Sequence, residues 1–133
     1  MTGTTPGYIP HEMLGLLDSR YVDIDDIPWG PARYGTQSKV LFKDNEAKQA
    51  LMMVKADPGA VLSDHEHTGL EMTYGIEGSV EDAHGKCPAG NFVWRPKGSR
   101  HQARCPEGAG FLVLFNGGAR SVETGEVFPN FDE

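Results

Sequence analysis

Short apolar runs separated by glycine and proline dominate the chain, and after residue 20 no segment keeps a helical hydrophobic period. Seventeen glycines and nine prolines are spread along the 133 residues. Short runs of apolar and β-branched residues bounded by turn residues are typical of β-strands. The pattern predicts strands at Tyr21–Ile24, Ser38–Lys43, Gln49–Ala56, Val61–His67, Leu70–Ile76, Phe92–Arg95, His101–Arg104 and Phe111–Asn116.

Many short strands with no helix between them favour an antiparallel sandwich or barrel. The nearest helical candidate, His11–Asp18, is weakened by Gly15. The pair Glu77-Gly78 is predicted to be a turn. We therefore expect one all-β domain over residues 1–133, with a core at about 37–116, a short irregular N-terminal arm at 1–20 and a C-terminal arm after residue 123.

Charge and composition exclude several classes of partner. Twelve basic and nineteen acidic residues give a net charge of −7 with no basic run, so we expect no nucleic-acid partner. The N-terminus lacks the features of a signal peptide, and the longest apolar run, Phe111–Phe115, is too short to cross a bilayer. Two cysteines, Cys87 and Cys105, make no disulfide framework, so we expect a cytoplasmic location.

Three histidines and a glutamate occur at spacings that suit a metal site. His65 and His67 are two residues apart, so on a strand both imidazoles project from one face. Glu71 would return beside them after a short turn, and His101 follows the turn Pro96-Lys97-Gly98. Neutral imidazole binds zinc, iron, copper, nickel and manganese. The residues alone therefore predict a site for a divalent first-row metal.

The opposite face of the strand at Leu70–Ile76 is predicted to be apolar. Strand alternation turns Leu70, Met72, Tyr74 and Ile76 away from the histidines. An apolar outward row requires a cover, either a partner subunit or the N-terminal arm. We therefore expect a homo-oligomer, a dimer or a tetramer.

Two stretches of the chain resemble the signature motifs of the cupin superfamily, whose members are small jelly-roll β-barrels with a metal inside. They read Gly59-x5-His65-x-His67-x3-Glu71-x6-Gly78 and Gly90-x5-Pro96-x-Gly98-x2-His101. The second motif departs at its end, where the family often has Asn and this chain has Cys105. That position is not usually a ligand, so the resemblance implies a cupin barrel with its metal site intact.

Two groups within the superfamily are most similar in sequence: the acetylacetone-cleaving dioxygenases and the cupin domain of ChrR-type anti-sigma factors. The resemblance rests on His65–Glu71, Ala89–His101 and Pro28-Trp29. In the first group three histidines hold Fe(II), whereas in the second a glutamate joins three histidines on zinc. The resemblance thus implies His65, His67 and His101 as metal ligands and leaves Glu71 either as a fourth ligand or as a partner of one. ChrR-type proteins also carry an N-terminal helical domain that grips the sigma factor. Because only about twenty irregular residues precede the predicted barrel, we expect no sigma-binding function here.

The leading interpretation is an enzyme, a small non-haem Fe(II) dioxygenase that uses O2 to cleave a C–C bond of a β-diketone or similar enolisable carbonyl compound. Glu71, if it is not a ligand, is the expected catalytic residue because a carboxylate can move a proton. The candidates for contacting the substrate are Phe92, Trp94 and Arg95, and strand alternation admits only some of them to the interior.

The alternative interpretation is a non-catalytic, ChrR-like regulatory module that binds zinc or a small molecule, with Glu71 closing a four-ligand site. A sugar-modifying or isomerase cupin is a third possibility, since one fold hosts many functions. In each case the imidazoles must be neutral to bind a metal. An ordinary histidine pKa near 6.5 therefore predicts that metal affinity falls as the pH drops toward that value.

Overall fold

The computed structural model describes residues 19–132, so the predicted helical segment His11–Asp18 lies outside the described part of the chain. Ten strands follow one another along these residues. They are β1 (Thr36–Asp44), β2 (Gln49–Ala56), β3 (Ala60–His67), β4 (Glu71–Glu81), β5 (Lys86–Pro88), β6 (Phe92–Arg95), β7 (Arg100–Cys105), β8 (Ala109–Asn116), β9 (Ala119–Ser121) and β10 (Val127–Phe128).

The strands form one antiparallel sheet that curls through β4. Their order is β1-β2-β8-β4-β7-β3-β9-β10, with β5 and β6 also paired to β4. The first half of β4 pairs with β8 and β6, and its second half pairs with β5 and β7. Strand β4 therefore links the two parts of the curled sheet, which together form a half-barrel. This architecture confirms the predicted all-β jelly-roll fold.

The core lies on the concave side of the sheet, where β2 and β8 contribute every second side chain. The buried side chains of these two strands are Ala50, Met52, Val54, Ala56, Ala109, Phe111, Val113 and Phe115. Alternation of this kind buries one face of a strand and leaves the other to solvent or to a partner. The same concave side carries the candidate site.

The prediction of a turn at Glu77-Gly78 is wrong, because β4 continues through Gly75 and Gly78 to Glu81. A Cβ added at Gly75 would lie 2.4 Å from the Pro88 carbonyl oxygen, and one at Gly78 would lie 2.0 Å from the Gly108 carbonyl oxygen. The register also shifts between Gly75 and Glu77, as at a β-bulge. These glycines permit close backbone approach within a strand and do not end it.

Two further differences from the sequence prediction occur near the ends of the described chain. The strand predicted at Tyr21–Ile24 is wrong, since the chain forms a 3-10 turn at Ile24–Asp26 whose first residue follows the capping Asp23. Part of the expected C-terminal arm belongs to the sheet, because β10 lies in this arm and pairs with β9, which in turn pairs with β3. Across residues 19–132, no helix has the length and apolar character needed to span a bilayer.

Candidate metal centre

Strands β3 and β7 bring three histidines into one cluster. His65 lies directly opposite His101 in the β3–β7 pairing, and His67 lies on the same face of β3 as His65. The ring centroids are 4.5 Å apart for His65 and His101, 4.9 Å for His65 and His67, and 5.0 Å for His67 and His101. One nitrogen from each ring lies within 4.8 Å of the others. The three imidazoles are therefore positioned to bind one metal ion.

Hydrogen bonds at Nδ1 decide which nitrogen of each ring faces the cluster. His65 Nδ1 lies 2.7 Å from the Ser63 carbonyl oxygen, and His101 Nδ1 lies 3.1 Å from Asp82 Oδ2. A carbonyl oxygen and an ionised carboxylate only accept hydrogen bonds, so each Nδ1 carries the proton and donates it. The neutral ring then leaves a lone pair on Nε2, as a metal ligand requires.

His67 is held in the same way by Ser99. Its Nδ1 lies 3.0 Å from both the carbonyl oxygen and the hydroxyl oxygen of Ser99. The Ser99 hydroxyl donates its own hydrogen to the Pro96 carbonyl oxygen at 2.7 Å, so toward His67 it accepts. His67 Nδ1–H is therefore the donor to Ser99, and Nε2 is again the atom with the free lone pair.

Glu71 stands beside that lone pair. Its Oε2 lies 3.1 Å from His67 Nε2, yet this buried nitrogen has no hydrogen-bond partner within residues 19–132. The other carboxylate oxygen, Oε1, accepts a hydrogen bond from Thr73 Oγ1 at 3.3 Å. Two electron-rich atoms face each other in a site where the His67 side chain is 1% exposed. A cation between them resolves this arrangement, so the donor set fits a divalent metal.

The electrostatic setting favours the neutral form of His65 and His101. Burial lowers the pKa of His65, and burial together with the nearby Arg95 charge lowers the pKa of His101 to about 4. Both values are below the ordinary histidine value of 6.5. Protons therefore compete with a metal at a lower pH than the unperturbed pKa of histidine implies.

Glu71 is held in its ionised form. Burial acts to raise the pKa of its carboxyl, but the adjacent His67 and His65 and the Arg95 guanidinium outweigh that effect, and the net shift is downward. Arg95 lies directly opposite Glu71 in the β4–β6 pairing. The concave face thus presents an anionic oxygen, a cationic guanidinium and three imidazole lone pairs.

Sequence reasoning missed Asp82, whose carboxylate contacts both His101 and Arg95. Burial acts to raise the pKa of Asp82, but hydrogen bonds from the His84 N–H, His101 and Arg95 lower it to about 2. No spacing in the sequence links Asp82 to His101 or to Arg95. Asp82 follows the β4 bulge, where strand alternation no longer tells which face a residue occupies.

The structure separates the three candidate substrate contacts. Phe92 and Trp94 pair with Tyr74 and Met72 on the convex side and are 55% and 58% exposed, so the structure does not bring them to the histidines. Arg95 alternates to the concave side, where its Nη1 donates to Asp82 at 2.9 Å.

Comparison with known protein families decides which family this fold and site represent. A family model described as the ChrR cupin-like domain matches residues 18–120. The chain belongs to the ChrR cupin-like domain family. No curated protein matches it significantly in sequence.

Solved structures of other cupins share the fold of this family member. A protein from Methylibium petroleiphilum PM1 assigned as an acetylacetone dioxygenase superposes with a TM-score of 0.75 and 19% identity, over 87% of this chain and 90% of that one. The acetylacetone dioxygenase of Acinetobacter johnsonii gives 0.74 and 18%, over 90% and 89%. ChrR of Rhodobacter sphaeroides, in its complex with SigE, gives 0.62 and 19%, over 70% of this chain and 51% of that one. At 18–19% sequence identity, the similarity to these structures shows a shared fold alone.

Proposed function

We propose that this cupin is a metal-dependent enzyme, an Fe(II) dioxygenase that cleaves a C–C bond of a β-diketone or similar enolisable carbonyl compound. The observation that carries the proposal is the convergence of three Nε2 lone pairs, one of them buried and unpartnered beside an ionised carboxylate. His65, His67 and His101 are the proposed ligands. Fold likeness to the two dioxygenases named above supports the choice of reaction.

The residues on the concave face have distinct tasks in this reaction. His65, His67 and His101 would hold the metal, and a metal held by three protein ligands would keep positions free for substrate oxygens. Fe(II), when bound, supplies a Lewis acid and the electron transfer that lets O2 react with an enolate. In this proposal Glu71 accepts the proton that the carbon between two carbonyls loses on enolisation. The Arg95 guanidinium lies on the same face and stabilises the negative charge that forms.

The overall reaction balances without a further reductant. One 1,3-dione and one O2 give one carboxylic acid and one 1,2-dicarbonyl, with one oxygen atom of O2 in each product. The test is to load the protein anaerobically with Fe(II), add 2,4-pentanedione and measure O2 uptake together with both products. Equal amounts of O2 consumed and of each product formed are expected. No O2 uptake with any of a panel of 1,3-diones contradicts the proposal.

Substitution of Glu71 separates its two possible roles. In Glu71→Gln, loss of the metal assigns Glu71 as a ligand, whereas a retained metal with lost turnover assigns it as the proton acceptor. Glu66→Gln is the matched control, because Glu66 lies between His65 and His67 on β3 and is exposed on the other face. The control is expected to keep both metal and turnover.

A second candidate function is a non-catalytic zinc-binding module. The ChrR cupin-like family match and the 3.1 Å approach of Glu71 to His67 Nε2 favour it, since three histidines and one carboxylate make a closed tetrahedral zinc site. This function predicts that the purified protein retains one zinc per chain, loses it on Glu71→Gln, and consumes no O2 after iron loading.

We also propose that the protein is a homodimer through its convex side. Six uncharged residues of β4, β6 and β8 are cross-strand neighbours there, and we call them the outer apolar face: Met72, Tyr74, Phe92, Trp94, Leu112 and Leu114. Tyr74, Phe92, Trp94 and Leu114 are 40% to 58% exposed. A second copy fits this face because two such patches meet without opposing like charges, although each chain carries a net charge of −7.

The dimer is tested by sedimentation of the wild type and of Trp94→Glu. The variant is expected to sediment as a monomer at concentrations where the wild type is a dimer. Val61→Glu is the control, since Val61 is 46% exposed but lies on β3, outside the outer apolar face. A monomeric wild type, or a Trp94 variant that remains dimeric, contradicts this interface.

A further inference from the structure

Asp82 uses both carboxylate oxygens to join the β4–β5 turn to the histidine cluster. Its Oδ1 accepts the backbone N–H groups of His84 at 2.8 Å and Gly85 at 3.0 Å. Its Oδ2 accepts from Arg95 Nη1 at 2.9 Å and from His101 Nδ1 at 3.1 Å. Four donors from three parts of the chain therefore fix one carboxylate, which is 9% exposed.

His101 differs from the other two histidines in what holds it. His65 and His67 donate from Nδ1 to uncharged oxygens of Ser63 and Ser99, whereas His101 donates to a carboxylate. A charged acceptor forms a stronger hydrogen bond, and it increases the electron density that the opposite ring nitrogen offers to a metal. Of the three imidazoles, His101 is therefore the one whose Nδ1–H is held by a charged acceptor.

We propose that Asp82 is a positioning residue of the metal centre: it orients His101 and strengthens Nε2 of that ring as a ligand, and Arg95 and the turn hold the carboxylate in place. This inference rests on the proposed metal centre. In this role Asp82 contacts neither the metal nor the substrate. Its contact with the histidine cluster is the hydrogen bond from His101 Nδ1.

The same two histidine-bearing strands supply a matched control. Asp64 precedes His65 on β3, and Arg100 precedes His101 on β7, and the two form an ion pair at 2.7 Å between Arg100 Nη2 and Asp64 Oδ2. Alternation turns both side chains away from the face that carries the imidazoles. Asp64→Asn therefore removes an aspartate–arginine pair next to the ligands without touching any ring.

The experiment measures Zn²⁺ affinity of the metal-free full chain by competition with a chelator, and the visible spectrum of the Co²⁺-loaded protein. Asp82→Ala is expected to weaken Zn²⁺ binding about 10- to 100-fold and to change the Co²⁺ spectrum at saturation. Asp82→Asn keeps the shape and one neutral acceptor, so it is expected to give a smaller loss. It also serves if the alanine variant does not fold. Asp64→Asn is expected to stay within about twofold of the wild type.

The outcomes separate this inference from the proposed metal centre. Zn²⁺ affinity and a Co²⁺ spectrum in the Asp82 variants that match those of Asp64→Asn overturn the positioning role. His101→Ala, measured in the same assay, tests the centre itself. If that variant binds Zn²⁺ as tightly as the wild type, the centre is wrong. If it loses Zn²⁺ while the Asp82 variants do not, only the role of Asp82 is wrong.

Discussion

Two aspartate–arginine pairs lie near the same histidines and differ in almost every other respect. Asp64 and Arg100 are sequence neighbours of His65 and His101, and their side chains are 35% and 58% exposed. Asp82 and Arg95 are not sequence neighbours of those histidines, and their side chains are 9% and 14% exposed. Only the second pair contacts an imidazole. The residues next to a histidine on its strand point to the opposite face of the sheet. The curled sheet instead brings Asp82 and Arg95 from other parts of the chain to the face that carries the imidazoles.

Burial also separates the two pairs energetically. An exposed ion pair gains little because water screens it and two long side chains must be ordered. A buried pair contributes little net stability over an apolar replacement, but removing one partner leaves a charge unpaired away from water. Asp82 and Arg95 should therefore be sensitive to single substitutions where Asp64 and Arg100 are not.

The largest expected effect contrasts His101→Ala with Arg100→Ala, one residue apart on β7. His101→Ala removes one of the three proposed ligands. Loss of a residue that only supports a ligand can lower metal affinity about 100-fold, and we expect a larger decrease here. Arg100→Ala changes the solvent side of the strand and should leave metal content unchanged. Metal analysis after defined loading checks both, and equal metal content in the two variants contradicts the assignment of His101 as a ligand.

The next effect concerns stability. Arg95→Met removes one of the four donors to the Asp82 carboxylate, and we expect a loss of about 2 kcal/mol, below the usual range for a broken buried pair because three donors remain. Arg100→Met should cause no measurable loss. Denaturant unfolding of the metal-free proteins measures both, and a stable Arg95 variant would show that the buried pair is dispensable.

The third prediction concerns the pH dependence of stability in the metal-free protein. The pKa of His101 falls from 6.5 to about 4 on folding, so between these values the unfolded chain binds more protons and stability decreases as the pH falls. The pKa of Asp82 falls from 3.8 to about 2, so its contribution is present above 3.8 and is lost as the pH falls through 2. Unfolding at about pH 7 and about pH 4.5 should show the first loss, and His101→Ala should flatten it. An increase in stability as the pH falls from about 7 to about 4.5 would contradict a buried His101 imidazole that is neutral in the folded protein.

Much of the fold could be predicted because single strands follow their local pattern. Gln49–Ala56 and Phe92–Arg95 have the same bounds in the prediction and in the structure. The clustering of His65, His67 and His101 follows from alternation and one redirecting turn. What failed was the interpretation of glycine, because Gly78 supports close approach inside a strand and is not a turn residue there.

The supporting residues could not be predicted because long-range contacts define them. Asp82 meets a side chain 13 residues away and another 19 residues away, after a bulge that interrupts alternation. For Phe92 and Trp94 the face depends on the pairing of β6 with β4, and that pairing has no signature in either strand alone. Tertiary contacts, not local pattern, decide such positions.

X-ray absorption spectroscopy of the protein loaded with one equivalent of Zn²⁺ identifies the atoms that bind the metal. We expect three imidazole nitrogens at about 2.0–2.1 Å from the metal, completed by oxygen. A sulfur scatterer, or fewer than three imidazoles, would contradict a metal centre built on His65, His67 and His101.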